Sequence, residues 1–308
     1  MSRVLVSGLI NIETTLRVDA FPVGYCPVRY PFWGIATTVS GVGYNVAKAL
    51  TVLGDEVRLV SLIGQGDPQA ALVREALAHD GIKQEFVLGG PAQTAQSVIL
   101  YDGEGRRQIH VDLKDLQERT YPEARFAEAL EGVDLAVLCN INFSRPFLQQ
   151  ARQRGIPVAT DVHTLSDLED GYNRDFMAAA DILFMSDEQL PEAPEVWARR
   201  VLDRYSPSVV VIGMGAQGAL LATRDGMLMH VPAVATRPII NTIGAGDALF
   251  SAFIHFYAQG STPQDALERA VVFASYKIGA QGAAEGFLDE AALESRCNAL
   301  SKCVAPLG

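Results

Sequence analysis

Apolar residues along this chain follow two rhythms. Runs at 4–7, 57–63, 135–139, 157–161, 182–185 and 209–212 are apolar at nearly every position, whereas the stretches between them carry apolar residues at helical spacing. Strands without polar alternation are covered on both faces, and strands that take turns with helices build βαβ units around a largely parallel sheet. Several helices have legible starts. Asp67-Pro68 precedes 70–79, Ser144-Arg145-Pro146 precedes 147–154 and Thr262-Pro263 precedes 266–278. Each start supplies a capping oxygen and a proline that a first helical turn tolerates. Residues 13–39 and 94–111 break the rhythm, reading as alternating or aromatic-rich strands with Gly/Pro turns; Tyr101-Asp102-Gly103-Glu104-Gly105 is a hairpin signal. Such strands fit poorly inside a parallel sheet and predict a small β-sheet lid at one edge. No internal repeat or low-complexity linker divides the 308 residues, so one domain over 1–308 with the lid inserted is expected.

Composition then narrows the function classes. With 49% hydrophobic and 20% charged residues the chain is of the soluble globular type. No apolar run approaches the ~20 residues of a membrane span. The formal net charge of −11, without any Lys/Arg run, argues against a nucleic-acid partner. Met1-Ser2-Arg3 leads into a strand without the apolar stretch of a signal peptide, so a cytoplasmic location is expected. Cys26, Cys139, Cys297 and Cys303 lack CxxC spacing and are expected to be reduced structural thiols.

Three segments concentrate glycine where strands meet helices or turns. Ser40-Gly41-Val42-Gly43-Tyr44-Asn45-Val46-Ala47 enters a helix. Glycine there either admits a ligand to the backbone or lets the helix pack tightly, while Asn45 adds a donor and an acceptor. Gly213-Met214-Gly215-Ala216-Gln217-Gly218 follows the strand at 209–212 and has the GxGxxG form of a dinucleotide site. That fingerprint needs a following helix and an acidic residue about 20 positions on. Here 219–223, Arg224-Asp225-Gly226 and 227–231 predict a hairpin, and no Asp or Glu occurs between Met227 and Gly246, which sets the dinucleotide reading aside. The third segment, Asn241-Thr242-Ile243-Gly244-Ala245-Gly246-Asp247, enters a helix at 248–258. Small residues at a helix N-terminus leave N–H groups free for an anion such as a phosphate in transfer. Asp247 there either takes a proton from an attacking hydroxyl or caps the helix, and spacing does not separate the two.

The 241–247 segment resembles the D-T-x-G-A-G-D signature of the phosphofructokinase B (PfkB), or ribokinase-like, family of carbohydrate kinases. Residues 40–47 resemble its N-terminal signature, and the resemblance runs through the chain in segment order. It implies an α/β fold, a ribokinase-like three-layer αβα sandwich with a mostly parallel central sheet and a small β-sheet lid. It implies phosphoryl transfer from ATP, with Mg2+, to a hydroxyl (usually hydroxymethyl) of a sugar or nucleoside. In the terms of this resemblance Asp247 is the general base, and the amides of Gly244, Ala245 and Gly246 form the anion hole. Gly213, Gly215, Gly218, Thr242, Ala280 and Gly282 border the nucleotide, while Asn11, Glu13, Gly41, Asn45, Asn140 and Asp161 face the acceptor. Tyr30, Phe32 and Trp33 in the lid either stack on a base or sugar face or form a dimer contact; lid strands often pair between subunits in this family, so a homodimer is expected.

Departures from the family pattern alter these expectations. Asn241 replaces an acidic residue that helps hold a monovalent cation in many members, so potassium activation is not expected. Ser40 replaces a glycine, Val42 a basic side chain carried by ribose-specific members, and Glu13 a shorter Asp; together these tilt the acceptor from a simple pentose toward a nucleoside. The N-x-x-E magnesium motif appears as Ser186-Asp187-Glu188-Gln189, leaving Glu188, acting through water, or Asp187 to serve the metal instead. The same departures keep open a second reading, a sugar- or nucleoside-binding regulatory homologue with impaired catalysis. Asp161-Val162-His163-Thr164 is an acceptor contact or a turn, and Arg107 either reaches from the lid toward phosphate or stays solvated. His79, His110, His230 and His255 lack metal-ligand spacing.

Overall fold

Val4 and Val6 pack into one hydrophobic core while Leu5 between them packs into another. A strand whose neighbours point to opposite faces behaves this way when both faces are covered. The computed structural model describes the backbone of residues 1–304 and the side chains of residues 1–300. In chain order the elements are β1 (Arg3–Ser7), β2 (Asn11–Arg17), β3 (Ile35–Ser40), α1 (Val42–Leu53), β4 (Glu56–Ile63), α2 (Pro68–His79), β5 (Val87–Gly89), β6 (Gln96–Tyr101), β7 (Arg107–Asp112), α3 (Glu123–Ala129) and β8 (Leu135–Leu138). There follow α4 (Arg145–Gln153), β9 (Val158–Asp161), α5 (Arg174–Ala179), β10 (Ile182–Ser186), α6 (Pro194–Tyr205), β11 (Val209–Gly213), β12 (Ala219–Thr223), β13 (Leu228–Val231), α7 (Ala245–Ala258), α8 (Pro263–Lys277) and α9 (Glu290–Val304).

Nine strands form the main sheet in the order β13-β12-β11-β10-β9-β8-β1-β4-β5. Pairing is parallel from β11 through β5 and antiparallel at β12 and β13. One core lies between the sheet and α1, α2, α7, α8 and α9, the other between the sheet and α3 to α6. These are the three expected layers. From β1 the chain proceeds to β4 and β5 on one side and later to β8 and β9 on the other. Such a reversal opens a crevice at the carboxyl ends of the strands, where open α/β sheets bind ligands. The ends of β1, β8, β9, β10 and β11 therefore frame the candidate site.

A second sheet, ordered β3-β2-β6-β7, is the lid; its central pair is parallel and its outer pairs antiparallel. Its strands fall at 11–17, 35–40, 96–101 and 107–112, matching the predicted lid except over 18–34, which contains no strand. Tyr30, Phe32 and Trp33 thus lie on a loop, where Trp33 adopts a left-handed φ of 58° that cannot continue a ladder. Two helix starts behave as expected: Asp67 accepts from the Ala70 amide and Thr262 from the Asp265 amide. Ser144 does not cap α4, because its hydroxyl is paired with the buried Ser7 hydroxyl at 2.7 Å. No helix among the described residues is long and apolar enough to cross a membrane. Cys139 is buried, which pushes its thiol up, and Cys26 is exposed. Cys297 is half-buried, and the Cys303 side chain lies outside the described residues.

Helix α1 meets the β1–β2 turn through glycines. A Cβ on Gly43 would sit 2.5 Å from the Gly8 carbonyl carbon. Gly43→Ala should therefore destabilise the fold by about 1–3 kcal/mol, the usual cost of overpacking against atoms that cannot yield. Guanidinium unfolding of the two proteins checks this.

Candidate active site

Gly244 caps α7 in the left-handed region, with φ 75°, and a Cβ there would lie 2.5 Å from the Ala283 carbonyl oxygen. Only glycine fits. Asp247 is consequently the third residue of the first turn, and the Asp247 Oδ2 accepts from Asn45 Nδ2 at 2.7 Å. The capping alternative for Asp247 is thereby removed. The Ala245 N–H donates back to the Thr242 carbonyl at 3.2 Å, so this predicted anion-hole donor is engaged. The amides of Gly246 and Asp247 have no partner among the described residues, and a Cβ on Gly246 would meet nothing within 4 Å. The Gly244 amide likewise has no partner among the described residues, so free donors flank the engaged Ala245 amide at the helix N-terminus.

Across from Asp247, the lid root supplies Asn11 and Glu13 from β2 and Ser40 from β3. The Ser40 hydroxyl lies 3.0 Å from Glu13 Oε2 and 3.3 Å from Asn45 Oδ1, and its single proton serves one of them at a time. Asn11 Nδ2 donates to the Ser97 hydroxyl of β6 at 2.9 Å. Asn11 Oδ1 and Glu13 Oε1 are both buried without a donor. Burial pushes the Glu13 carboxyl up; the Ser40 hydrogen bond opposes this, nearby Asp247 adds to it, and Lys277 counteracts it. Burial likewise pushes the Asp247 carboxyl up, against the Asn45 hydrogen bond and the charges of His163 and Lys277, while Asp161 raises it further.

The remaining predicted acceptor contacts divide. Gly41, with φ 101°, would place a Cβ 2.6 Å from the Leu9 carbonyl oxygen, so this glycine is required for packing α1 against the β1–β2 turn. Asn140 Nδ2 donates to Asn173 Oδ1 at 2.9 Å. Asp161 Oδ1 accepts the His163 N–H at 2.8 Å, forming a turn in which His163 has φ 59°. The turn reading holds there, yet both side chains lie close enough to Asp247 for their charges to affect it.

On the nucleotide side, Gly213 ends β11 and Gly215, with φ 53°, has open space around it. Residues Gly215–Gln217 make a single 3-10 turn into β12 and no helix follows, so the dinucleotide geometry is absent there. Gly218, with φ 102°, is demanded by the closeness of the Val231 carbonyl. Gly282 is buried and its amide donates to Glu285 Oε2 at 2.9 Å; the Ala280 amide donates to the Lys277 carbonyl at 3.0 Å. Arg107 is not simply solvated. Its Nη1 donates to Thr242 Oγ1 at 3.1 Å and its Nη2 lies 3.6 Å from Glu188 Oε1, tying the lid to the signature turn. No group of three or more His, Cys, Asp or Glu side chains converges as a metal cage among the described residues. The exposed Glu188 carboxylate, beside Asp187, still suits magnesium, which keeps several waters and takes few protein ligands besides phosphate.

One charged residue near the site escaped the sequence reading. Lys277, in the last turn of α8, is fully buried, and its ammonium donates to the Ile243 carbonyl. Burial lowers it to about 8, opposed by the charges of Asp247 and Glu13. Its signal was present: Ala270, Phe273 and Lys277 share one apolar stripe at helical spacing, all buried.

Comparison with known proteins identifies the family and the fold. The profile of pfkB family carbohydrate kinases matches residues 1–291. A deoxyribokinase of Salmonella typhi is 36% identical over 280 residues, covering 87% of this chain and 86% of that protein. An acarbose 7(IV)-phosphotransferase of an Actinoplanes species is 27% identical over 293 residues, 94% of this chain and 96% of that one. Among solved structures, the microbiome-derived acarbose kinase Mak1 superimposes with a TM-score of 0.85 at 24% identity, over 96% of this chain and 99% of its own.

Asn45 stabilises the charged form of Asp247, so removing its amide should raise the Asp247 pKa further. Carboxyl-carbon NMR titration of Asn45→Ala against the native protein should place the Asp247 midpoint at higher pH; an unchanged or lower midpoint would contradict the assigned hydrogen bond.

Proposed function

The chain belongs to the PfkB family of carbohydrate kinases, and we propose that it transfers the γ-phosphoryl group of ATP to a hydroxymethyl oxygen of a sugar held between Glu13 and Asp247. The observation carrying this reading is the carboxylate of Asp247 beside the unpartnered Gly246 amide. Asp247 takes the proton of the acceptor hydroxyl as its oxygen bonds to the γ-phosphorus, and the bond from that phosphorus to the ADP oxygen breaks. Gly246 and Asp247 N–H groups receive the negative charge of the phosphoryl in flight, with Gly244 and Ala245 shaping the turn.

Acceptor hydroxyls donate to Asn11 Oδ1 and Glu13 Oε1, which otherwise remain buried and unsatisfied. Asp161 and Asn140 close the acceptor side at the ends of β9 and β8. ATP lies along Gly213 to Gly218 and the 280–282 loop, reaching Thr242. Magnesium bound with the nucleotide would offset the charge of the phosphate oxygens. Glu188 would hold it through water, with Arg107 orienting Glu188. The sugar acceptors named for the relatives favour a free sugar over the nucleoside that Val42 and Glu13 pointed to. The free donors and the Asn45-held carboxylate also disfavour the regulatory reading. The whole chain acts as one catalytic unit beneath its lid.

The exposed Tyr30, Phe32 and Trp33 support a lid-to-lid homodimer, since large aromatics in full contact with water mark association sites. Light scattering should give twice the monomer mass, and Phe32→Ser with Trp33→Ser should return it to the monomer. ATP consumption measured over a panel of sugars and nucleosides should identify a sugar acceptor. Asp247→Asn should lower kcat by about 10²–10⁴-fold, the range of a lost general base. Full activity of that variant would remove Asp247 from its role.

A further inference from the structure

A buried ammonium needs compensating partners, since an unpaired charge out of water is costly. Lys277 is fully buried, yet the hydrogen bond given to it goes to a single backbone carbonyl, that of Ile243. Ile243 immediately precedes the Gly244 cap of α7, so the ammonium grips the turn from which the Gly246 and Asp247 amides project. The side chain at position 241 is already engaged. Asn241 Nδ2 donates to the Gln281 carbonyl, and Asn241 Oδ1 accepts the Ile243 amide at 3.0 Å. The Ile278 carbonyl accepts both the Ile240 and Asn241 amides, at 2.9 and 3.2 Å. A monovalent cation held at position 241, as the family implies, requires free oxygens and is best served by a carboxylate. Position 241 does not fit one: its side chain is a neutral amide with both ends engaged, the Ile278 and Thr242 carbonyls accept N–H donors, and the Ile243 carbonyl accepts the Lys277 ammonium.

We infer that Lys277 is a positioning residue whose ammonium takes the place of a dissociable monovalent cation behind the phosphoryl-accepting turn, making the enzyme independent of potassium. The inference rests on the assignment of Asp247 and the Gly246 amide to phosphoryl transfer. A covalently tethered charge gives the same electrostatic support to Asp247 and to the helix N-terminus, without an ion-binding equilibrium. The groups facing the ammonium are Asp247 from α7, Glu13 from β2, Glu285 from the loop after α8 and Arg237 from the segment after β13. The three carboxylates hold the proton on and Arg237 opposes them; burial leaves the amine titrating at about 8, so the positive form prevails at neutral pH and is lost above it.

The test compares native protein, Lys277→Met and Lys277→Arg, using the fastest sugar of the acceptor panel. In potassium chloride and in tetramethylammonium chloride of equal ionic strength, native rates should agree within about twofold. Lys277→Met should lose about 10²-fold in kcat with little change in the KM for ATP, as when a fixed transition-state charge is removed. Lys277→Arg should recover most of that loss and abolish the alkaline decline, because guanidinium stays charged. Activation of the native enzyme by potassium above about fivefold, or a folded Lys277→Met variant within about threefold of native kcat, overturns the inference. Should Lys277→Met fail to fold, the native potassium titration and the Lys277→Arg alkaline profile decide. If native protein phosphorylates no sugar or nucleoside of the panel, the kinase assignment of Asp247 is what has failed. Calorimetry of potassium against the ATP-bound native protein then judges Lys277 alone: saturable binding overturns its role and none supports it.

Discussion

For Asp247 to act as a base it has to be ionised, and burial in a chain of net charge −11 works against that. Several parts of the site's architecture answer to this constraint, against the opposing charge of Asp161. Asn45 supplies a hydrogen bond from α1, the first turn of α7 supplies unpaired amides and the positive end of its dipole, and Lys277 supplies a full charge from α8. None of these donors is on a surface basic patch. The close-packing glycines belong to the same requirement: Gly41 and Gly43 let α1 approach the β1–β2 turn so that Asn45 reaches Asp247, and Gly244 lets the signature turn lie on Ala283.

The lid is coupled to that turn at two places. Glu13 and Ser40 sit at its root and contact the Asn45 end of the network, while Arg107 on β7 bonds to Thr242 at the other. The charge of Asp247 across the crevice raises the proton affinity of Glu13, an arrangement that makes sense when hydroxyl donors come between them. The lid's root, through Ser40, and its hairpin end, through Arg107, thus both reach the region around Asn45 and the signature turn.

Much of the fold was legible along the chain because its determinants are local. Consecutive apolar residues in β1, β8 and β11 announced strands covered on both faces, and Asp67 and Thr262 announced helix starts that the side chains do cap. Ser144 carried the same local signal, but a buried partner from β1 took its hydroxyl. Glycines were legible as necessary without being legible in purpose. Gly218 is demanded by the Val231 carbonyl and Gly41 by Leu9, contacts that a motif read as ligand space does not distinguish.

The sequence by itself determined the layered α/β architecture, the lid, the family and the segment that carries Asp247, since periodicity and motif spacing are properties of neighbouring residues. Tertiary structure alone decided which groups have something left to offer. Asn45 and Asp247 are 202 residues apart, Arg107 and Thr242 135, and Lys277 and Ile243 34. Whether an amide is spent, an oxygen orphaned or an ammonium neutralised depends on which of these distant partners the packing brings within about 3 Å, the reach of a hydrogen bond.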